Sequence, residues 1–188
     1  MAETTNIIAE GEVLQLLNCN DPDTTEERYL DVVRSKTAKL FEAGAMVGAV
    51  LAARSSLDER HMAAYGLHLG TAYQLVDDVL DYRGDSAEIG KNVGDDLAEG
   101  KPTLPLIHAI RTGTPSQTAV IRQAIEHGDL TLIGEVVDVV ESTGGIAYTA
   151  RAARQEADRA LEALADVPES PVKKGLETLA EFAISRTY

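Results

Sequence analysis

The middle of the chain reads Tyr73-Gln74-Leu75-Val76-Asp77-Asp78-Val79-Leu80-Asp81-Tyr82. Its polar members, one glutamine and three aspartates, follow the spacing i, i+3, i+4, i+7, which places all four on one face of an α-helix. The leucines and valines between them predict that this helix lies mostly inside the protein. We call this set the acidic stripe and define it as Gln74, Asp77, Asp78 and Asp81.

The charge of the acidic stripe needs compensation. Neighbouring carboxylates on a helix repel one another by about a few tenths of a kcal/mol per pair even when they are exposed. No Lys or Arg lies between Arg60 and Arg83 to offset them. Carboxylates near a core are costly unless a cation meets them, and Mg²⁺ binds through one or two carboxylates together with water and substrate phosphates. The stripe therefore predicts a Mg²⁺ site, with a solvated face on an acidic protein as the alternative.

The composition predicts one folded domain and excludes some functions. The chain has 188 residues and 44% hydrophobic residues, enough for a core. A net charge of -14 disfavours binding to a nucleic-acid backbone. Its single cysteine, Cys19, excludes an internal disulfide and fits a reducing compartment. No apolar run reaches the roughly 18 residues of a membrane span, and the first residues do not resemble a signal peptide, so we expect a cytoplasmic protein.

The residue pattern is helical along the whole chain, because Ala, Leu, Glu and Arg predominate and clean alternation is hard to find. Two capping boxes are predicted, Thr24 with Glu27 and Ser56 with Glu59. Residues 84–101 are rich in Gly and Asp and are predicted to form a loop. No internal domain boundary is evident. The predicted helices are residues 4–17, 25–53, 57–82, 103–111, 116–126, 130–142, 147–165 and 172–186.

Two glycine pairs lie inside predicted helices, Gly44 with Gly48 and Gly66 with Gly70. Each glycine costs about 1 kcal/mol relative to Ala in a helix interior. Two such pairs predict close backbone approach between helices, and the alternative is that they line a ligand channel.

Several basic residues have the chemistry to bind phosphate. Lys91 and Lys101 flank a glycine-rich acidic segment, where their ammonium groups could reach a phosphate already bound by metal. Lys36 and Thr37 lie inside a long predicted helix. There Lys36 could pair with a phosphate, and Thr37 could bend the helix toward the site. The alternatives are an ordinary surface loop for the first pair and ordinary mid-helix residues for the second.

These segments together resemble the trans-isoprenyl diphosphate synthases, most closely the bacterial octaprenyl diphosphate synthase type. The resemblance rests on residues 9–16, 36–38, 74–82 and 90–105 and extends along the whole chain. It implies an all-α helical bundle around a central cavity, in which residues 1–188 form the C-terminal part of a single isoprenoid synthase domain. The family has two aspartate-rich motifs on facing helices, and only the second is found here, so the first is expected before Met1.

The implied activity is that of a trans-prenyltransferase. Such an enzyme condenses isopentenyl diphosphate with an allylic prenyl diphosphate, head to tail, and makes a long, octaprenyl-like diphosphate for quinone side chains. The resemblance implies Mg²⁺ as the cofactor. Its ligands in this chain would be Asp77, Asp78 and Asp81.

The resemblance also assigns roles to other residues. Lys36, Thr37 and Gln74 would be catalytic, because Thr37 and Gln74 would face the developing cation with oxygen dipoles while Lys36 pairs with the allylic diphosphate. Lys91 and Lys101 would bind the same diphosphate.

The family is usually homodimeric, and apolar faces left uncovered in this chain predict association. A non-catalytic subunit that binds prenyl diphosphate or regulates an intact enzyme is the alternative function. A terpene cyclase shares the fold, but its second metal motif normally has Asn, Ser or Thr and Glu where this chain has three aspartates.

The first prediction concerns the 188-residue chain by itself. Because only one of the two aspartate-rich motifs is found in it, we expect negligible prenyl transfer when it is incubated with farnesyl diphosphate, isopentenyl diphosphate and Mg²⁺. Robust formation of long-chain product, measured by chromatography, would contradict this expectation.

Overall fold

The computed structural model describes residues 2–83 and 94–186, and most of these residues lie in helical elements. The all-α class predicted from the sequence is confirmed. Val33–Ala38 form a π-helical segment and Leu130–Leu132 a 3₁₀ turn. The α-helices are α1 (Ala2–Asn18), α2 (Glu26–Val32), α3 (Lys39–Leu51), α4 (Ser56–Arg83), α5 (Asp95–Ala98), α6 (Leu104–Thr112), α7 (Pro115–His127), α8 (Ile133–Ser142), α9 (Gly145–Ala163) and α10 (Pro171–Ser185).

The chain forms two compact units. Unit 1 contains Met1–Glu12, Val32–Val76 and Ala152–Tyr188, and unit 2 contains Val13–Asp31 and Asp77–Arg151. Each division falls within a helix rather than in a flexible linker. The sequence carries no signal for such a division, because Pro, Gly and Ser accumulate at linkers and not within continuous helices.

Unit 2 has an aliphatic core. The C-terminal end of α4 contributes Val79 and Tyr82, and helices α5 to α9 supply the other side chains. These positions recur at helical spacing, so each helix presents one apolar face. The core residues are Val79, Tyr82, Leu97, Leu106, Ala109, Ile121, Ala124, Ile125, Val136, Val139, Val140 and Ile146.

Unit 1 packs around small residues of α9. Ala153, Ala157 and Ala160 are buried at the spacing i, i+4, i+7, so this face of α9 is smooth and allows close packing. Tyr65 of α4 belongs to the same cluster as Ala160. An ion pair adds to the contact between these two helices, since Nδ1 of His68 lies 2.6 Å from Oε2 of Glu156.

Both predicted helix caps are displaced by one residue. The N–H of Arg28 donates to Oγ1 of Thr25, so Thr25 rather than Thr24 caps α2. The N–H of Asp58 donates to Oγ of Ser55, and the N–H of Ser55 donates back to the Asp58 carboxylate. In each doublet both residues can cap a helix, so residue type alone does not decide between them.

Two predicted elements also differ in kind. The helix predicted for residues 25–53 is divided into α2, the π-helical segment Val33–Ala38 and α3. The short helix Asp95–Ala98 lies in the segment predicted as a loop. Lys36 and Thr37 both fall in the π-helical segment, and such widened turns occur frequently at functional sites.

Only one glycine pair lies at a close approach. A Cβ atom on Gly70 would lie 2.7 Å from Cα of Ala38, and one on Gly66 would overlap the backbone of Phe41. The prediction for Gly66 and Gly70 is therefore confirmed. It is wrong for Gly44 and Gly48, since no described atom lies within 4 Å of the Cβ position at either residue. Across residues 2–83 and 94–186, no helix has the length and apolar character needed to cross a membrane.

Two glycine substitutions separate these cases. Gly70→Ala should lower the free energy of unfolding by about 1–3 kcal/mol, because the new methyl group overlaps the backbone of Ala38 in the π-helical segment and forces α4 away from it. Gly48→Ala is the control. It should raise that free energy by about 0.5–1 kcal/mol, because its Cβ position is open and Ala favours the helix. Urea unfolding followed by circular dichroism measures both, and equal effects would contradict the packing described.

Candidate active site

Most of the acidic stripe is withdrawn from solvent. Asp78 is 1% exposed and Asp81 is 3% exposed, whereas Asp77 and Gln74 are partly buried. The alternative of a solvated acidic face is therefore wrong for Asp78 and Asp81. The neighbouring residues Leu75, Val76 and Val79 of α4 are also buried, so this part of the helix lies inside the protein.

Asp78 receives a hydrogen bond from a buried tyrosine of α2. The Tyr29 hydroxyl donates to Oδ2 of Asp78 at 2.5 Å, and Tyr29 is 7% exposed. Burial, followed by the charge of Asp78 and the hydrogen bond to it, raises the pKa of Tyr29 well above its usual value. The hydroxyl therefore keeps its proton and orients the carboxylate of Asp78.

Asp81 is linked to the start of α5. The N–H of Asp96 donates to Oδ2 of Asp81 at 3.3 Å, and the N–H of Gly94 donates to the Asp81 backbone oxygen at 3.1 Å. Nζ of Lys101 lies 3.1 Å from Oδ1 of Asp96 and 2.6 Å from Oε2 of Glu99. Asp96 thus contacts both Asp81 and Lys101, and it brings these two predicted site residues into one network within unit 2.

The environment of Lys101 keeps its ammonium charged. Burial lowers the pKa of Lys101, but hydrogen bonds to Glu99 and Asp96 outweigh burial, so the pKa is raised above its ordinary value. Asn20 holds the preceding turn, because its N–H donates to the Gly100 oxygen at 2.8 Å and its Nδ2 donates to the Ile125 oxygen at 3.0 Å. These hydrogen bonds fix the position of the turn that precedes Lys101.

Unit 1 brings together the two predicted dipole residues. The Thr37 hydroxyl, in the π-helical segment, donates to Oε1 of Gln74 on α4 at 3.1 Å. Since the hydroxyl proton points at Gln74, the lone pairs of the Thr37 oxygen point elsewhere. Lys36 lies next to Thr37 in the chain, and its Nζ lies 2.7 Å from Oε2 of Glu12 on α1.

Two predictions about the site find no support among the described residues, and the sequence missed several of the contacts of the site. Lys91 lies outside the described residues. Within residues 2–83 and 94–186, no group of three His, Cys, Asp or Glu side chains is close enough to hold a metal ion. The sequence also did not single out Tyr29, Asp96 or Glu12 as contacts of the site. Only tertiary structure shows them, because each lies on a different element from the residue it contacts.

The chemistry of the stripe fits Mg²⁺. Its donors are carboxylate oxygens, which Mg²⁺ prefers, and two of them belong to buried side chains that would gain from a cation nearby. Mg²⁺ commonly uses one or two carboxylates and completes its shell with water and substrate phosphates. Mg²⁺ can therefore bind at a site where fewer than three protein side chains contact the ion.

Comparisons with known proteins identify the fold and then the family. The polyprenyl synthase of Caulobacter crescentus CB15, solved with calcium and isoprenyl diphosphate, superposes with a TM-score of 0.93 at 39% identity, covering 100% of this chain and 58% of that one. The chain therefore has the all-α fold of an isoprenyl diphosphate synthase. The family model described as polyprenyl synthetase matches residues 1–142, and the protein belongs to this family.

Curated relatives agree with this assignment. The octaprenyl diphosphate synthase of Escherichia coli (strain K12) is 50% identical over 187 residues, 99% of this chain and 58% of that protein. The all-trans-nonaprenyl-diphosphate synthase (geranyl-diphosphate specific) of Rhodobacter capsulatus is 42% identical over 179 residues, 95% of this chain and 55% of that protein. The chain thus spans somewhat more than half the length of these relatives.

Removing the Tyr29 hydroxyl tests the support of Asp78. Tyr29→Phe should lower the free energy of unfolding by about 1.5–3 kcal/mol, because a buried carboxylate loses a hydrogen-bond donor. Tyr73→Phe is the matched control, since Tyr73 is exposed and no hydrogen bond of its hydroxyl is found within the described part of the chain. Equal changes in the urea midpoint for the two variants would show that the Tyr29 contact is unimportant.

Proposed function

We propose that the protein takes part in head-to-tail trans-prenyl transfer, in which an allylic prenyl diphosphate is condensed with isopentenyl diphosphate. The observation that carries the proposal is the burial of two aspartates of the acidic stripe, in a chain that is 50% identical to an octaprenyl diphosphate synthase. Buried carboxylates are costly to retain without a cationic partner, so their presence here indicates a use.

Relatives support the substrate class. The Caulobacter crescentus polyprenyl synthase was solved with calcium and isoprenyl diphosphate, so a closely similar fold holds a divalent cation and a prenylated diphosphate. Nζ of Lys36 pairs with the Glu12 carboxylate and Nζ of Lys101 with the carboxylates of Asp96 and Glu99, and an ammonium group suits a phosphate oxygen equally well. We assign both lysines, with Lys91, to the diphosphate of the allylic substrate.

The reaction divides into bond breaking and bond making. The bond between C1 of the allylic substrate and its diphosphate oxygen breaks, and the electron pair leaves with the diphosphate. The double bond of isopentenyl diphosphate then attacks the allylic cation, and loss of a proton forms a new double bond. Charged and dipolar groups that are oriented before the reaction stabilise such developing charges.

Thr37 and Gln74 suit the stabilisation of the allylic cation. The Thr37 hydroxyl is held by Gln74, so its oxygen lone pairs keep a fixed direction. We assign Thr37 and Gln74 to stabilising the allylic cation with oxygen dipoles. We assign Lys36 to the departing diphosphate.

The three aspartates of the acidic stripe suit the stabilisation of the leaving diphosphate. We assign Asp77, Asp78 and Asp81 as the ligands of Mg²⁺, with Tyr29 and the Asp96 N–H orienting the two buried carboxylates. When it is bound, Mg²⁺ supplies positive charge that stabilises the leaving diphosphate. The short path through Asp96 keeps Lys101 near Asp81 and adds an ammonium group on the same side.

Relatives in the family also suggest a product for this protein, and the sequence suggests its location in the cell. Relatives that make octaprenyl and nonaprenyl diphosphates favour a long-chain product, which would serve as a quinone side chain. We place the protein in the cytoplasm, as expected from the sequence.

Association is part of the proposal. Large apolar side chains remain exposed on helices of both units, and Leu51 of α3 is 81% exposed. Leu16 and Leu17 of α1 are also exposed. Uncovered apolar surface of this kind favours assembly.

Sedimentation velocity tests the association. Because exposed apolar side chains are withdrawn from water in an assembly, we expect species larger than the 20.1 kDa chain at micromolar concentration. Leu51→Glu should shift the distribution toward the monomer. A wild-type sample that is wholly monomeric across the concentration range would contradict the proposed homo-oligomer.

A chimera tests the catalytic assignment. The 187 matched residues of the Escherichia coli octaprenyl diphosphate synthase would be replaced by those of this chain, and formation of labelled prenyl diphosphate would be followed. We expect activity, and we expect Asp77→Ala to lower kcat by about 10²-fold or more through loss of charge stabilisation. Asp138→Ala, an exposed aspartate of α8, is the control and should leave kcat unchanged.

The same chimera separates the proposal from its alternative. A correctly folded chimera without activity would favour a non-catalytic subunit that binds prenyl diphosphate or regulates an intact enzyme. Near-normal activity of the Asp77→Ala chimera would contradict the assignment of Asp77 as a ligand.

A further inference from the structure

Helix α1 approaches the π-helical segment Val33–Ala38 at a glycine. A Cβ atom on Gly11 would lie 2.6 Å from the backbone nitrogen of Lys36 and 2.9 Å from Cβ of Ser35, so only glycine fits at this contact. The following residue, Glu12, then reaches Lys36, and its Oε2 lies 2.7 Å from Nζ. Gly11 and Glu12 thus bring a carboxylate to a lysine that the proposed function assigns to the diphosphate.

The Glu12–Lys36 pair is partly exposed, so water competes with it. The side chain of Lys36 is 32% exposed and that of Glu12 is 53% exposed. Ion pairs in such surroundings contribute little to stability, because water screens the charges and both side chains lose freedom. The pair contributes little to the stability of the fold, and it places the ammonium group against the Glu12 carboxylate.

A carboxylate and a phosphate oxygen compete for the same kind of contact with lysine. Both are anionic acceptors, and a diphosphate carries more charge than a single carboxylate. Once a diphosphate is bound near Lys36, the charge of Glu12 also repels it. Competition and repulsion act in the same direction, since each weakens the binding of diphosphate.

We propose that Glu12 occupies the ammonium group of Lys36 in the ligand-free protein and yields it to the diphosphate when substrate binds. Glu12 thereby acts as a positioning residue that holds Lys36 extended toward α1, and it lowers the affinity for diphosphate so that the product can leave. This inference rests on the proposed function, in which Lys36 binds the allylic diphosphate.

Titration calorimetry with inorganic pyrophosphate in the presence of Mg²⁺ tests the inference on the 188-residue chain. Glu12→Gln should tighten the Kd by about two- to five-fold, the range that an exposed ion pair supports. Glu10→Gln is the matched control, because Glu10 is exposed on the same helix and has no ion pair in the described part of the chain. It should leave the Kd nearly unchanged.

A second pair of variants separates this inference from the proposed function. Lys36→Met should weaken the Kd, and in that background Glu12→Gln should have no more effect than Glu10→Gln, since the group for which Glu12 competes is gone. If Lys36→Met weakens binding while Glu12→Gln behaves like Glu10→Gln, only the inference is overturned. If Lys36→Met has no effect, or the unaltered chain binds no pyrophosphate, the assignment of Lys36 and the inference both fail.

Discussion

The burial of the Asp78 and Asp81 carboxylates is the constraint on which the rest of this account depends. A buried carboxylate is stable only when hydrogen bonds or cations replace the water it has lost. The protein supplies hydrogen bonds, from the Tyr29 hydroxyl and from the Asp96 N–H. A divalent cation bound at the acidic stripe would supply the positive charge, and it would also attract the anionic substrate. The same buried carboxylates therefore account for both the cost of burial and the proposed function.

Around that constraint, backbone geometry positions the basic and dipolar residues. In unit 2, Asn20 braces the turn before Lys101, and Asp96 joins that lysine to Asp81. In unit 1, the widened turn at Val33–Ala38 carries both Lys36 and Thr37. Helix α4 contributes Gln74 to one unit and the aspartates to the other. The turn before Lys101 and the segment Val33–Ala38 depart from regular α-helix, which would aim these side chains differently, whereas α4 is a continuous α-helix.

Local patterns in the sequence were sufficient for the all-α class, for the acidic stripe as a helix face and for the close approach at Gly66 and Gly70. They failed where the outcome depends on what lies opposite. Gly44 has the same spacing from Gly48 as Gly66 has from Gly70, yet no described atom meets its Cβ position. Tyr29 gave no signal, because its partner is 49 residues away in the chain. The π-helical segment was also not predictable from composition, since Lys36 and its neighbours are ordinary helix residues.

The central claim is that the acidic stripe binds a divalent cation together with a diphosphate, and calorimetric titration of the chain with Mn²⁺ tests it most directly. If the two ligands bind together, each must raise the affinity for the other. Saturating pyrophosphate should therefore lower the dissociation constant of Mn²⁺ by about tenfold. Asp78→Asn with Asp81→Asn should remove that dependence. A Mn²⁺ affinity that is unaffected by pyrophosphate, or that survives in the doubly substituted chain, would contradict the account.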